Sequence, residues 1–463
     1  MVNVAYLYPW DVVGDPSAPR RLAELGVEAV ALAASYHSTR AATPYHPAHR
    51  VLDVPYPAFY LPIRESSWGR LVPAAPTWTP ADAYLQARDA LKAVGLKVHA
   101  WTVLTHNSRL GAAHPDLVVR NAFGDAYPYA LCPSHEDVIE YCENLVREIL
   151  DLGEPDGLIL EACGPMGFGH TSVHEKTSGA DWTPADTDLL SLCFCTNCAS
   201  RYPEPTRFVI RSAIDRTTPT PTPDGTAPTP RTNGTTTAPT TNGTTTNSTT
   251  NGTTKDSATD GSATDSATDG RKATPATSGA PTSPAAKART TGPTARSTPA
   301  TPPATGPTTV DQALGDLADE VREIRTALTT TLRRRLISVA RRTAPNVPIT
   351  VHANPDPWAT GAFAPLPAGD PDVDVLVGNC WGAPATDAAR LTRLGELATA
   401  SQRVGAYVLA LPPRPADAEV LADQLRTYAK AGAAEFHLYH AGLASPQRLQ
   451  ALTKALNLYR ELR

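Results

Sequence analysis

Short runs of consecutive apolar residues alternate with longer segments of helical period along most of this chain. VAYLYPW (Val4 to Trp10) is the first apolar run, and the helical segment APRRLAELG follows it. VEAVALAAS (Val27 to Ser35) is the second; a long aromatic loop and the helix PADAYLQARDALKAVG come next. KVHAWTVL (Lys97 to Leu104) is the third, followed by the helix HEDVIEYCENLVREILDLG with Ser134 as its N-cap. DGLILEA, opening at Asp156-Gly157, is the fourth. Later in the chain a long helix over VDQALGDLADEVREIRTALTTTLRRRLISVARRT leads to VPITVHAN (Val347 to Asn354) and then DVDVLVGN (Asp372 to Asn379). RVGAYVLAL (Arg403 to Leu411) and AAEFHLYHA (Ala433 to Ala441) complete the series, each followed by a helical segment. Unbroken apolar runs of this length are strands buried on both faces, as in a parallel sheet covered by helices.

Eight strand–helix alternations predict a (β/α)8 TIM barrel. An open doubly wound sheet is the alternative, but no Gly-x-Gly-x-x-Gly follows the first strand. Between the fourth and fifth strands the pattern disappears. From about residue 217 to 309 the chain is Thr, Pro, Ser, Ala, Gly, Asn and Asp with local repeats and almost no large apolar residue. Such a segment cannot offset its ordering entropy by burial, and it reads as a disordered low-complexity insert. The expected organisation is one barrel in two halves, 1–216 and 310–463, interrupted by 217–309.

Composition adds a little. Of 463 residues 41% are hydrophobic, and 45 prolines, many in the insert, dilute the core-forming fraction. The formal charge of −5 leaves no basic footprint for nucleic acid. No stretch reaches the roughly 18 apolar residues of a membrane-spanning helix. The opening MVNVAYLYPW reads as a strand rather than a secretory signal, so the expected location is cytoplasmic.

In a barrel the site lies at the C-terminal strand ends. The first strand offers Tyr8, Trp10 and Asp11 there; the second offers Tyr36, His37 and Arg40. The third offers Trp101, His106 and Asn107, and the fourth Glu161. The fifth offers His352, Asn354, Asp356 and Trp358, and the sixth Asn379 and Trp381. The eighth offers His437, Tyr439 and His440, whereas the seventh, LALPPR, offers little that is polar. An aromatic, His- and Asn-rich rim with few charges suits a sugar, whose C–H faces stack on rings while its hydroxyls hydrogen-bond. Glu161 ends a buried run, where desolvation raises a carboxyl pKa unless the group is paired; a raised value suits a general acid. Gly164, Gly167 and Gly169 then open a permissive loop carrying His170, His174 and Glu175.

The stretch HPDLVVRNAFGDAYPYALCPSHEDVIEYCENLVREILDLGEPDGLILEA resembles the middle of glycoside-hydrolase-like TIM barrels of the family 10 glycosylhydrolase-like group. The resemblance rests on His114-Pro115, Gly124-Asp125, Cys132-Pro133, His135, Asp156-Gly157 and Glu161. FGHTSVHEK, LLSLCFCTNC and VHANPDPWATGA are similar to stretches in uncharacterised, largely actinobacterial barrels. The resemblance implies a carbohydrate or oligosaccharide substrate and makes Glu161 the proton donor or nucleophile. Related barrels commonly carry a second Glu on strand seven, where this chain has Leu409, Leu411 and Pro412. A second carboxylate would have to come from Glu175, Asp356 or Asp11. The alternatives are a metal-dependent amidohydrolase, with His352, His437 or His440 and Asp356 as ligands, and a non-catalytic carbohydrate-binding barrel.

The run CFCTNC places Cys193, Cys195 and Cys198 together, on a helix starting near Pro184. Three thiolates offer a zinc half-site, with His170 or His174 as a fourth ligand. Small buried hydrophobes or a redox pair are the other readings.

Overall fold

The computed structural model describes residues 2–169, 176–217, 307–367 and 373–461. The low-complexity segment, apart from its ends, lies outside the described residues, as do His170, His174 and Glu175. The barrel wall consists of β1 (Val2–Leu7), β2 (Ala29–Tyr36), β3 (Lys97–Val103), β4 (Gly157–Glu161), β5 (Ile349–Asn354), β6 (Val375–Cys380), β7 (Arg403–Leu409) and β8 (Ala433–Tyr439). Each pairs in parallel with its neighbours in the chain. β8 returns to β1 with Glu435 opposite Val2 and Leu438 opposite Ala5, which closes the sheet. The protein is therefore a (β/α)8 barrel. Ala58–Phe59 and Ala364–Pro365 add two short strands to the β2 and β5 ends. The described residues before and after the low-complexity segment form one compact unit.

The outer layer is α1 (Ala18–Ala23), α2 (Ala83–Lys92), α3 (Glu136–Gly153), α4 (Ala318–Thr343), α5 (Pro384–Leu397), α6 (Ala418–Lys430) and α7 (Pro446–Glu461). Three local expectations need correction. The long helix expected over 310–343 breaks at Gly315, whose φ of +55° suits a residue without Cβ; Val310–Leu314 is a separate short helix and α4 starts at Ala318. α3 is preceded by His135 rather than Ser134 as its N-cap, because the Ser134 hydroxyl lies against Cys132 Sγ, 3.1 Å away. The helix from Pro184 stops at Leu190, so Cys193 and Cys195 lie on extended chain before the short helix Thr196–Ala199.

Two hairpins rise from the loops at the C-terminal end of the barrel, Thr39–Ala42 with Val51–Val54 and Val118–Arg120 with Ala126–Leu131. Both interrupt stretches that carry no long apolar run. The barrel interior is unusual for this architecture, which branched aliphatic side chains normally fill. Along its inward face lie Tyr6, Trp101, Glu161, His352, Tyr407, Glu435 and His437, all buried.

Candidate functional site

At the C-terminal ends of the strands a cleft of about 490 Å3 opens between β2, β3, β4, β5, β6, β7 and β8. Eight of the residues expected at the site line it: Tyr36, His37, Trp101, Glu161, Asn354, Asn379, Trp381 and Tyr439. Thr39, Thr360, Phe363, Arg390 and Tyr407 join them. One wall is aromatic. Trp381 is 40% exposed, stacks on Tyr407 at 5.6 Å and leans on Tyr439 at 4.9 Å. Opposite, Tyr36 stacks on His37 at 4.1 Å, and His37 on His106 at 4.5 Å. Arg390 is oriented from α5 by the Asn379 carbonyl at 2.7 Å and by Asp387 at 2.8 Å.

Glu161 sits on the floor. Trp101 Nε1–H donates to its Oε2 at 2.7 Å, and His352 Nδ1 lies 3.3 Å from the same oxygen. Both contacts fall on Oε2, which leaves Oε1 for a ligand. Burial pushes the Glu161 pKa up, but the His352 ring and the Trp101 donor outweigh it and hold the carboxyl below its ordinary value. Glu161 is thus an ionised carboxylate at neutral pH, and the raised pKa expected of an unpaired buried acid does not arise. The residue after it, Ala162, has φ +54°, a left-handed conformation that costs an alanine about 1–2 kcal/mol and turns the chain sharply away from the strand.

Behind Glu161 a polar chain crosses the barrel. His352 Nε2 is 2.9 Å from Tyr6 Oη, and Tyr6 Oη is 3.2 Å from His437 Nδ1. His437 Nε2 is 3.3 Å from Glu435 Oε2, and Glu435 pairs with Arg403 at the opposite end of the barrel. Burial holds the His437 pKa below its usual value against the opposing pull of Glu435, which favours neutral imidazole. Hydrogen-bond accounting then assigns the tautomers. His437 gives Nε2–H to Glu435 and accepts the Tyr6 proton at Nδ1. Tyr6 oxygen accepts Nε2–H of His352, whose Nδ1 faces Glu161 Oε2.

The structure uses the other expected residues elsewhere. Tyr8 is buried between Trp10 and His440, at ring distances of 4.4 and 4.3 Å, and donates to the Tyr36 hydroxyl at 3.1 Å, so these rings support the cleft from behind. Asp11 accepts the Tyr8 N–H at 2.8 Å in a buried turn against Gly442; burial raises its pKa to about 7. Arg40 is exposed on the first hairpin and pairs with Asp53 at 3.2 Å. Asn107 caps the helix Ser108–Ala113 by accepting the Leu110 N–H at 3.0 Å. Trp358 is buried under Arg322, outside the cleft. Asp356 closes a local turn by accepting the Trp358 N–H at 2.9 Å, and its charge helps raise the neighbouring Asp188, after burial, to about 6. Gly164 and Gly167 are needed for packing within the protein. A Cβ on Gly164 would lie 2.6 Å from Ala364 Cβ, and one on Gly167 would lie 2.4 Å from both Ser191 Oγ and Thr360 Oγ1.

Sequence reasoning missed Tyr6, Phe363, Arg390 and Tyr407. Strand alternation could have found two of them: Tyr6 shares a face of β1 with Val4, as Tyr407 does with Gly405 of β7. It also missed Cys132. Among the described residues, the groups that could hold a metal ion are Cys132, Cys193, Cys195 and Cys198, whose sulfurs all lie within 4.8 Å of one another. The amidohydrolase ligands do not converge: His352 and His437 both meet Tyr6, His440 stacks on Tyr8, and Asp356 lies outside the cleft.

Fold and site together define a (β/α)8 barrel in which Glu161 is the one carboxylate among the described residues that line an aromatic cleft. No family model matches the chain. No curated protein matches it. Among solved structures it is similar to the catalytic domain of beta-amylase from Paenibacillus polymyxa, at 13% identity over 100% of this chain and 98% of that chain, with a TM-score of 0.46. It is similar to the PgaB (BpsB) glycoside hydrolase domain from Bordetella bronchiseptica, at 13% identity over 98% of each chain, with a TM-score of 0.48. It is also similar to beta-galactosidase from the psychrophilic Marinomonas ef1, at 10% identity over 100% of this chain and 59% of that chain, with a TM-score of 0.46.

Proposed function

We propose that this barrel is a carbohydrate-active protein of the glycoside-hydrolase type, taking an oligosaccharide or smaller glycoside in the cleft below Trp381. The observation that carries this reading is the ionised Glu161 on the floor of an aromatic cleft, with Oε1 free of the Trp101 and His352 contacts. A sugar ring would stack on Trp381 and take hydrogen bonds from Asn354, Asn379 and Arg390. Held ionised, Glu161 suits a nucleophile, a base or a stabiliser of positive charge at the anomeric carbon better than a general acid. In a two-carboxylate mechanism the proton donor comes from another group. Glu175 is the candidate, in the stretch of sequence that follows β4. The fourth-to-fifth-strand excursion is then both the source of the second acid and the carrier of the low-complexity segment.

The test is a panel of aryl glycosides and oligosaccharides assayed with the wild type and with Glu161→Gln. The expected result is sugar release by the wild type and a loss of at least a thousandfold in the folded variant. Equal turnover by both proteins would overturn the role of Glu161. A second reading, a carbohydrate-binding barrel without hydrolysis, is favoured by one observation: among the described residues lining the cleft, Glu161 is the one carboxylate. Sugar binding without turnover by either protein would select it.

A further inference from the structure

We propose that Cys132, Cys193, Cys195 and Cys198 bind one structural zinc ion that fastens the β4 excursion to the β3 excursion. Cys132 follows the hairpin Ala126–Leu131 on the path to α3, and the other three follow β4, more than sixty residues later in the chain. All four are buried. Four sulfurs about 2.3 Å from a tetrahedral centre lie about 3.8 Å from one another. Cys132 Sγ is 3.6 Å from Cys198 Sγ and 3.8 Å from Cys195 Sγ, close to those edges and far beyond the roughly 2.0 Å of a disulfide. The surroundings donate to the sulfurs as a charged thiolate site requires. Cys195 N–H points to Cys193 Sγ at 3.4 Å, and the Ser134 hydroxyl lies 3.1 Å from Cys132 Sγ and 3.5 Å from Cys195 Sγ. Four protein ligands close the coordination sphere, so the ion is structural, with no open position for substrate.

The site also explains local features that packing alone leaves odd. The helix from Pro184 ends after seven residues and the chain extends through Cys193, with Phe194 N–H donating to the Arg120 carbonyl of the β3 hairpin at 2.6 Å. Asn197 donates to the Ser134 carbonyl at 3.1 Å. The two excursions also meet where Tyr127 donates to the Leu190 carbonyl at 2.9 Å and Tyr129 to the Gly167 carbonyl at 3.1 Å. The ion thus secures the base of the loop that follows Glu161, independently of whether the cleft hydrolyses sugar.

The experiment is metal analysis of the full-length chain by inductively coupled plasma mass spectrometry after dialysis against a weak chelator. The expected result is one zinc per chain. A mercurial that blocks thiols should release it stoichiometrically, and protein made in cobalt-supplemented medium should show the intense visible bands of tetrahedral thiolate coordination. Cys132→Ser should bind zinc at least tenfold more weakly, whereas Cys380→Ala, at a buried thiol elsewhere, should keep one ion. Because the cobalt spectrum is read on the wild type, a Cys132 variant that fails to fold does not decide the outcome. A wild type with no bound metal and freely titrating thiols, a disulfide among the four cysteines, iron in place of zinc, or undiminished zinc in folded Cys132→Ser would overturn the proposal.

Discussion

Removing one hydrogen bond from Glu161 by Trp101→Phe tests how its charge is maintained. Trp101 Nε1–H donates to Glu161 Oε2 at 2.7 Å inside the barrel, where neither side chain is appreciably solvated. A hydrogen bond to a charged group contributes about 1.5–3 kcal/mol. At about 1.4 kcal/mol per pKa unit, losing it raises the Glu161 pKa by about one to two units. The folded-state pKa lies below the ordinary 4.5, so this carboxylate contributes stability above its unfolded value, and that contribution disappears as pH falls through the folded value. Phenylalanine also leaves a gap against Tyr6 and Tyr36, but that packing loss does not depend on pH. Urea unfolding followed by circular dichroism, from about pH 7 down to about pH 3, separates the two contributions. The expected result is a wild-type-to-variant gap that shrinks by about 1.5–3 kcal/mol toward the acid end. A gap of constant size across that range would refute the claim that the indole holds Glu161 ionised.

Other consequences concern the cleft wall and the β1 turn. Trp381→Ala removes a ring that is 40% exposed but packs on Tyr407 and Tyr439, so it should lower folding stability by about 1–3 kcal/mol while weakening sugar binding at least tenfold, as read by calorimetric titration. Asp11→Asn addresses a buried acid whose folded pKa is raised from 3.8 to about 7. A raised carboxyl takes up a proton on folding, so the wild type loses stability as pH rises from about 4 to about 7, and the loss persists above. The amide can keep the Tyr8 N–H contact, so the variant should be the more stable protein above pH 7, by up to a few kcal/mol. The advantage should vanish near pH 4. Thermal unfolding across that range checks both the sign and the window.

The barrel was legible because its strands are buried on both faces, and continuous apolar runs such as VALAAS and GLIL then mark them with little ambiguity. Glu161 was legible because it is a carboxylate ending such a run. What stayed hidden depends on contacts between distant segments. Cys132 joins CFCTNC only when two excursions meet, and the sequence separation conceals it. Asn107 and Arg40 had the right chemistry and position in the chain, but a helix cap and a hairpin ion pair occupy them. Tyr6 and Tyr407 read as ordinary strand aromatics, and their roles emerge from the inward face they share with His352 and Glu161. The paired state of Glu161 needed His352, from the far half of the chain, and so its pKa direction could not be read locally.

A structure of the wild-type protein soaked with an oligosaccharide from the substrate panel tests the central claim most directly. The account predicts a sugar ring stacked on Trp381, with its anomeric carbon or a ring hydroxyl within about 3–3.5 Å of Glu161 Oε1. A sugar bound away from this cleft, making no contact with Glu161, would contradict it.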